Sequence, residues 1–504
     1  MLTLNLTKIL LFTILPFYFA LNCLILPVTA AESIQPYLDQ VKANLHEFSL
    51  NNGIKFIVLE NHQAPVISFV TYADVGGVNE PDGKTGVAHF LEHLAFKGTT
   101  KIGTTDYVAE KPVLDNLDKT FDQLQNQDQN QKLIAKWQKL KEEAREYVKQ
   151  NEFGQIVEIE GGVGLNAATS ADYTAYYYNF PANKLELWMS LESERFLQPV
   201  FREFYEEKEV ILEERRLRTD NSPIGKMIEA FLDTAFTSHP YKRPVIGYDR
   251  DIRNLKRKDV EEFFGTYYTP NNLTIAIVGD VQPEEVETLA KVYFDRYPQQ
   301  TKPPQLEIVE SPQTQTREVD LVLASQPWYL EGYHRPSLND ADDVVYDVIS
   351  GILSNGRTSR LYQSLVEDQQ VALAAQSLNG FPGNKYPNLI VFYALSAPNH
   401  SLEEVETAIR VEIDRLTTEL VTESELNRVK TKAKASLLRT LDTNEGMASL
   451  LAEYEVKTGS WLKLFEDLDR IEKVTAEDVQ RVAQTTFTAE NRTIGRILEQ
   501  NDQI

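Results

Sequence analysis

Cysteine is almost missing from this chain: its 504 residues contain one, Cys23. That cysteine sits in an apolar N-terminal stretch, so removal of the stretch leaves neither a disulfide nor a thiol nucleophile. Histidine is scarce too, with seven in all. Basic residues are outnumbered, 51 against 75 acidic, for a net charge of −24. This balance excludes attraction to nucleic acid or to anionic membrane surfaces. Solubility accounts for the acidic excess, and an acidic chamber favouring cationic peptides is the sharper alternative. No G-x-S-x-G occurs, so the strained serine elbow of many hydrolases is lacking.

Charge is also nearly absent from the first thirty residues, where Lys8 stands alone. Ile9 to Leu21 is almost wholly apolar, and Val28-Thr29-Ala30 offers small residues for cleavage after Ala30. The pattern predicts a signal peptide over residues 1–30 and export, with a bacterial periplasm suiting a mature chain without cysteine. An uncleaved anchor is the alternative, but Asn22 and Pro27 interrupt the apolar run and make a poor spanning helix. No stable membrane insertion is expected once the segment is cleaved.

Chemistry concentrates in His89-Phe90-Leu91-Glu92-His93. On a helix, His93 lies about 40° and Glu92 about 60° from His89 around the axis. Val87, Phe90, Leu91 and Leu94 supply the apolar stripe that would anchor such a helix in a core. Two imidazoles at i, i+4 can grip one zinc ion, with a carboxylate beside the open coordination position. Zinc acidifies a bound water and the carboxylate can take its proton, which is metal-assisted hydrolysis. H-x-x-E-H is the reverse of the commoner H-E-x-x-H zinc motif.

Two histidines leave a tetrahedral zinc short of a ligand. None of the other five histidines forms a pair with ligand spacing, so a carboxylate is the better candidate. In the run Glu206 to Arg216, Glu207 and Glu214 share a helix face to within about 20°. A charged, solvated surface helix is the other reading of this run.

His89 through Thr99 resembles the zinc-site helix of the M16 (pitrilysin-type) metallopeptidase family. Leu165 to Thr169, followed by Tyr173 to Tyr178, is similar to that family's substrate-binding edge strand, and Glu207 to Glu214 to its glutamate helix. Further similarity runs through Thr234-Ala235-Phe236, His239-Pro240-Tyr241, Tyr268 to Asn272 and Val278-Gly279-Asp280. The resemblance implies that His89, His93 and Glu214 bind Zn2+. It further implies Glu92 as general base and Glu207 as the carboxylate supporting the site. Asn166, Ala167 and Thr169 would hold substrate added as a strand, although Asn166 and Thr169 also suit a turn. His239 reads as a packed or capping histidine. The implied activity is a zinc endopeptidase acting on peptides or unfolded segments inside a closed chamber. A non-catalytic structural or chaperone-like subunit of an M16-type complex is the alternative.

Glu214 follows His93 by 121 positions, more than the family usually has. The excess, about 107–155, contains Leu114, Leu117, Phe121 and Leu124, then Leu133, Trp137, Leu140, Ala144 and Tyr147. These spacings predict a helical hairpin with facing apolar seams, read as a peripheral structural insert, with a docking arm as the alternative. An internal repeat is visible as well: Asp259, Val260, Thr266, Thr269, Asn272, Thr274 and Ile275 recur 219 positions later. A duplicated α/β unit gives this register. The expected organisation is a signal peptide (1–30), a zinc-peptidase-like half (31–298), a polar, proline-bearing linker (299–317) and a half without a zinc motif (318–504). Clustered strands and long helices predict an α+β fold of two homologous halves, each with helices packed on a mainly antiparallel sheet.

Gly351 to Tyr362 resembles the family's glycine-rich C-terminal segment. Where the family often places an arginine and a tyrosine that hold the substrate carbonyl, this chain has Val366 and Leu373, which cannot donate a hydrogen bond from the side chain. A homodimer, or a heterodimer with a second M16-like chain supplying that pair, is therefore expected.

Overall fold

The computed structural model describes residues 35–127 and 129–500; the expected signal peptide and Cys23 lie outside them. Two sheets organise the chain. The first joins β1 (Leu45–Ser49), β2 (Lys55–Glu60), β3 (Val66–Ala73), β4 (Val163–Thr169), β5 (Thr174–Pro181) and β6 (Leu273–Gly279) in the order β1-β2-β6-β3-β5-β4. The second joins β7 (Arg317–Leu323), β8 (Trp328–Arg335), β9 (Ala372–Phe381), β10 (Asn388–Ser396) and β11 (Arg492–Glu499) in the order β7-β11-β8-β10-β9. Both are mainly antiparallel, each with one parallel pair, β2–β6 and β7–β11. Apart from β1, the two sheets have one strand order, and β4 and β9 are equivalent edges.

The repeat read from the sequence has a direct structural counterpart. The helix Arg257–Tyr267 leads into β6, and 219 positions later Ala476–Thr486 leads into β11. Local chemistry explains the second copy's entry: Thr475 and Asp478 form a reciprocal capping box, satisfying backbone donors that the first helical turn leaves free.

The central strands of each sheet, such as β3, β6, β8 and β10, are buried on both faces, which alternation along a half-exposed strand would not produce. In β3, Ile67 and Phe69 face one core while Val70 and Tyr72 face another. The second core is closed from across the molecule. The helix Asn444–Thr458, from the C-terminal half, packs on β3 and β6, and Pro223–Ala235, from the N-terminal half, packs on β7 and β11. Met227 and Phe231 are fully buried in this exchange, each contributing about 1.5–3 kcal/mol of apolar burial. Their approach requires glycine: a Cβ at Gly495 would stand 2.8 Å from Met227 Sδ, and one at Gly332 2.8 Å from Phe231 Cζ.

The extra segment of the first half contains helices Tyr107–Asn126 and Gln131–Arg145, which pack together. Phe121 and Trp137 lie against Tyr205 of the glutamate helix. A third helix, Glu152–Ile159, was not expected from the sequence. Neither were β1, β8 and the helices Asn444–Thr458 and Lys463–Lys473. Tyr362–Asp368, just after the glycine-rich segment, forms a wide π-helical turn. Residues 298–316 carry no helix or strand, but they are not free: Glu310 accepts from the backbone N–H groups of Thr237, Ser238 and His239, each at 2.8 Å. Among the described residues no helix is long and apolar enough to cross a membrane.

Candidate metal centre

The motif forms the helix Val87–Leu94. Gly86 caps it at φ 87°, a left-handed conformation that a side chain disfavours; a Cβ there would also stand 2.7 Å from the Ile246 carbonyl oxygen. Having no side chain to cap with, the helix borrows one: buried Glu80 accepts from the N–H groups of Gly86 and Ala88, both at 2.9 Å. Burial pushes the Glu80 carboxyl up to about 8 in spite of these two bonds, so it caps the helix by hydrogen bonding rather than by charge. Phe90 and Leu91 are buried in the first core, so the opposite face turns His89, Glu92 and His93 outward.

The glutamate run folds as the helix Phe204–Arg215 against this one, and continues as a π-helical turn, Arg216–Asp220. Packing of the two helices brings His89, His93 and Glu214 together, with one ligand atom from each lying within 4.8 Å of the others. Glu214 Oε2 is 3.8 Å from His89 Nε2 and 3.6 Å from His93 Nε2. These are too long for hydrogen bonds but match a shared cation, since tetrahedral ligands at zinc distances stand roughly 3.4 Å apart. His89 is buried, and its Nδ1 has no hydrogen-bond partner. Burial, reinforced by the charges of His93 and Arg218, pushes its pKa down to about 3, so the ring is a neutral donor, as a metal ligand must be. The donor set fits zinc.

Supporting groups surround the three. Glu207 Oε2 lies 3.3 Å from His93 Nδ1, which places the proton on that nitrogen and leaves Nε2 to face Glu214. Burial disfavours the charge on both His93 and Glu207, yet their mutual attraction prevails: His93 is raised and Glu207 lowered. Lys97 Nζ, 2.5 Å from Glu207 Oε1, holds that carboxylate in turn. Arg218 takes the outer oxygen of Glu214, Oε1, at 2.7 Å. Sequence reading missed both cations, although each follows a proposed ligand by four residues, one helical turn later. Glu213, the neighbour that could be confused with Glu214, is half exposed and pairs with Arg216.

Glu92 is raised above the usual carboxylate range, chiefly by burial, with Thr169 opposing the shift. A cavity of about 740 Å³ opens over it, lined by the three candidate ligands, Asn166 to Thr169, Arg218, Thr219, Val245 and Ile246. β4 is the free edge of the sheet at this cavity. The three residues assigned to substrate differ in placement. The Asn166 amide oxygen accepts from Ala167 N–H at 2.9 Å, the Ala167 side chain is buried, and the Thr169 hydroxyl donates to Glu92 Oε2 at 2.6 Å. Val366 packs against the core of the second half, while Leu373 is 51% exposed on the edge strand β9. His239 is buried and accepts from Tyr241 N–H, a packing and capping role.

Comparison with known proteins gives a consistent picture. The family model described as Insulinase (Peptidase family M16) matches residues 55–112 and 140–249, passing over part of the helical insert. The model described as Peptidase M16 inactive domain matches residues 254–433. Zinc protease PqqE of Helicobacter pylori is 30% identical over 445 residues, covering 86% of this chain and 88% of that protein. A crystal structure of a protease from Helicobacter pylori superposes with a TM-score of 0.77 at 28% identity, covering 90% of this chain and 99% of the other. The periplasmic protease PqqL of Escherichia coli shares the fold, with a TM-score of 0.67 at 17% identity; the match covers 90% of this chain and 47% of PqqL. These relatives support a zinc-peptidase-type function. The chain belongs to peptidase family M16.

Proposed function

We propose that this chain is a zinc-dependent endopeptidase that hydrolyses peptides or unfolded polypeptide segments in an enclosed chamber. The observation that carries the reading is the convergence of His89, His93 and Glu214 from two helices, with Glu92 beside them facing a cavity. A zinc ion bound there would supply Lewis acidity, polarising the scissile carbonyl and acidifying a water. Glu92 takes the proton of the attacking water and returns it to the leaving amine. Burial helps by raising the carboxyl above its ordinary value, which makes it a stronger base. Glu207 holds the His93 ring, and Arg218 holds Glu214. Substrate pairs along β4, where main-chain hydrogen bonds give affinity with little side-chain selectivity.

Val366 and Leu373 offer no donor to the substrate carbonyl. Loss of such donors typically costs about a hundredfold or more in rate. A second, non-identical M16-like chain supplying an arginine and a tyrosine completes the site in a heterodimer; a homodimer would bring only further copies of Val366 and Leu373. That the match covers only 47% of PqqL, a larger chain, supports such pairing. The same missing donors are the one feature favouring a non-catalytic subunit. Export to a periplasm, with cleavage near Ala30, belongs to this reading.

The test is metal analysis with peptide hydrolysis for wild type and Glu92→Gln, alone and with co-purifying protein. About one zinc per chain is expected in both forms, with hydrolysis lost only in the variant. A wild type without zinc, or a variant that still cleaves, would refute the proposal.

A further inference from the structure

The Thr169 hydroxyl donates to Glu92 Oε2 at 2.6 Å, and among the described residues no other side chain donates to that carboxylate. We propose that Thr169 is the positioning residue that aims Glu92, rather than a contact for substrate; the inference rests on the peptidase reading above. Side chains alternate along a strand, so Thr169 shares a face with Ala167. Ala167 is buried in the core that holds the motif helix, which turns this face of β4 toward Glu92. Asn166 and Ala168 point the other way.

The threonine is itself held firmly. Thr169 pairs with Thr174 at the end of β4, and the turn beyond closes through Ser170 N–H to the Tyr173 carbonyl at 2.8 Å. Thr174 is fully buried and its hydroxyl donates to the Val75 carbonyl at 3.0 Å. A β-branched residue on such a strand has restricted χ1 freedom, so the hydroxyl offers Glu92 one direction. The bond to Oε2 sets how the carboxylate is turned. The strand that aims the base is also the edge on which substrate pairs. Peptide register and base orientation are thereby set by one piece of backbone, without a separate element to align them.

Thr169→Val keeps the shape and deletes the hydroxyl; Thr169→Ser keeps the hydroxyl. Both are compared with wild type on a quenched-fluorescence peptide that the wild type cleaves, using the full chain with any co-purifying partner. Zinc content and thermal midpoint are measured alongside. Thr169→Val is expected to lower kcat about ten- to hundredfold, the range for losing a hydrogen bond to a charged group. KM and the zinc stoichiometry should be unchanged, and Thr169→Ser should retain most of the rate. A rise in KM at unchanged kcat would overturn the proposal in favour of substrate binding. Loss of zinc from Thr169→Val, or an equal fall in Thr169→Ser, would overturn it as well. Failure of the wild type to cleave any peptide, alone or with partner, would overturn the peptidase reading itself and this inference with it.

Discussion

Replacing Glu110 by glutamine tests whether the helical insert is an appendage or part of the site's foundation. Glu110 lies in the first turn of the helix Tyr107–Asn126 and pairs with Arg202, both side chains being 0% exposed. Arg202 Nε donates to both carboxylate oxygens, at 2.7 and 3.0 Å. Its remaining nitrogens reach the carbonyls of Lys97, Ile102 and Thr99, the last at 2.6 Å. Those carbonyls belong to the loop that leaves the motif helix, so the insert is bolted to the backbone that carries His93. Glutamine preserves the volume but leaves the guanidinium charge buried without its counter-charge. Breaking a buried ion pair in this way costs about 3–5 kcal/mol. At roughly 2–4 °C per kcal/mol for a half of this size, the melting transition of the N-terminal half should fall on the order of 10 °C. Lys111→Ala is the control. It removes an exposed pair with Asp115 one position along the same helix, and such pairs contribute about 0–1 kcal/mol. Thermal melts of the three proteins, followed by circular dichroism, decide the matter. If Glu110→Gln melts with the control rather than well below it, the insert does not brace the site through this pair.

Two further outcomes are expected. Glu207→Gln should weaken zinc binding by about 10–100-fold, because the carboxylate that fixes the His93 tautomer loses its charge; competition with a chelator measures it, and unchanged affinity would remove Glu207 from the site. The Thr237 hydroxyl and three backbone N–H groups outweigh burial and hold the Glu310 carboxyl at about 2 against an ordinary 4.5. A depressed carboxylate stabilises the fold above its unfolded pKa, and that contribution fades as pH falls from about 4.5 to 2. Denaturant midpoints of Glu310→Gln should therefore lose part of the wild-type slope in that window, and superimposable profiles would contradict the assignment.

Much of this protein was legible before any tertiary structure, wherever a feature is local or repeated. The i, i+4 histidines with Glu92 between them, and the shared face of Glu207 and Glu214, follow from helical periodicity alone. So does the facing pair of insert helices, from its three- and four-residue apolar steps. Recurrence 219 positions apart marked a duplicated unit that the two sheets repeat. Other features depend on residues remote in the chain meeting across packed elements, and no local pattern encodes such a meeting. Nothing near Thr169 announces Glu92, which lies 77 positions earlier. Glu80 caps a helix that its own N-terminal glycine cannot cap, and Glu310 ties a stretch read as linker to the turn at Thr237–His239. The two unforeseen apolar faces belong here too, since each is covered by a helix from the opposite half. Spacing determined which side chains could serve one metal ion, because backbone geometry is the same in every helix. Packing alone decided which distant partners orient them, because those contacts exist only once the helices and edge strand of the first half have packed against one another.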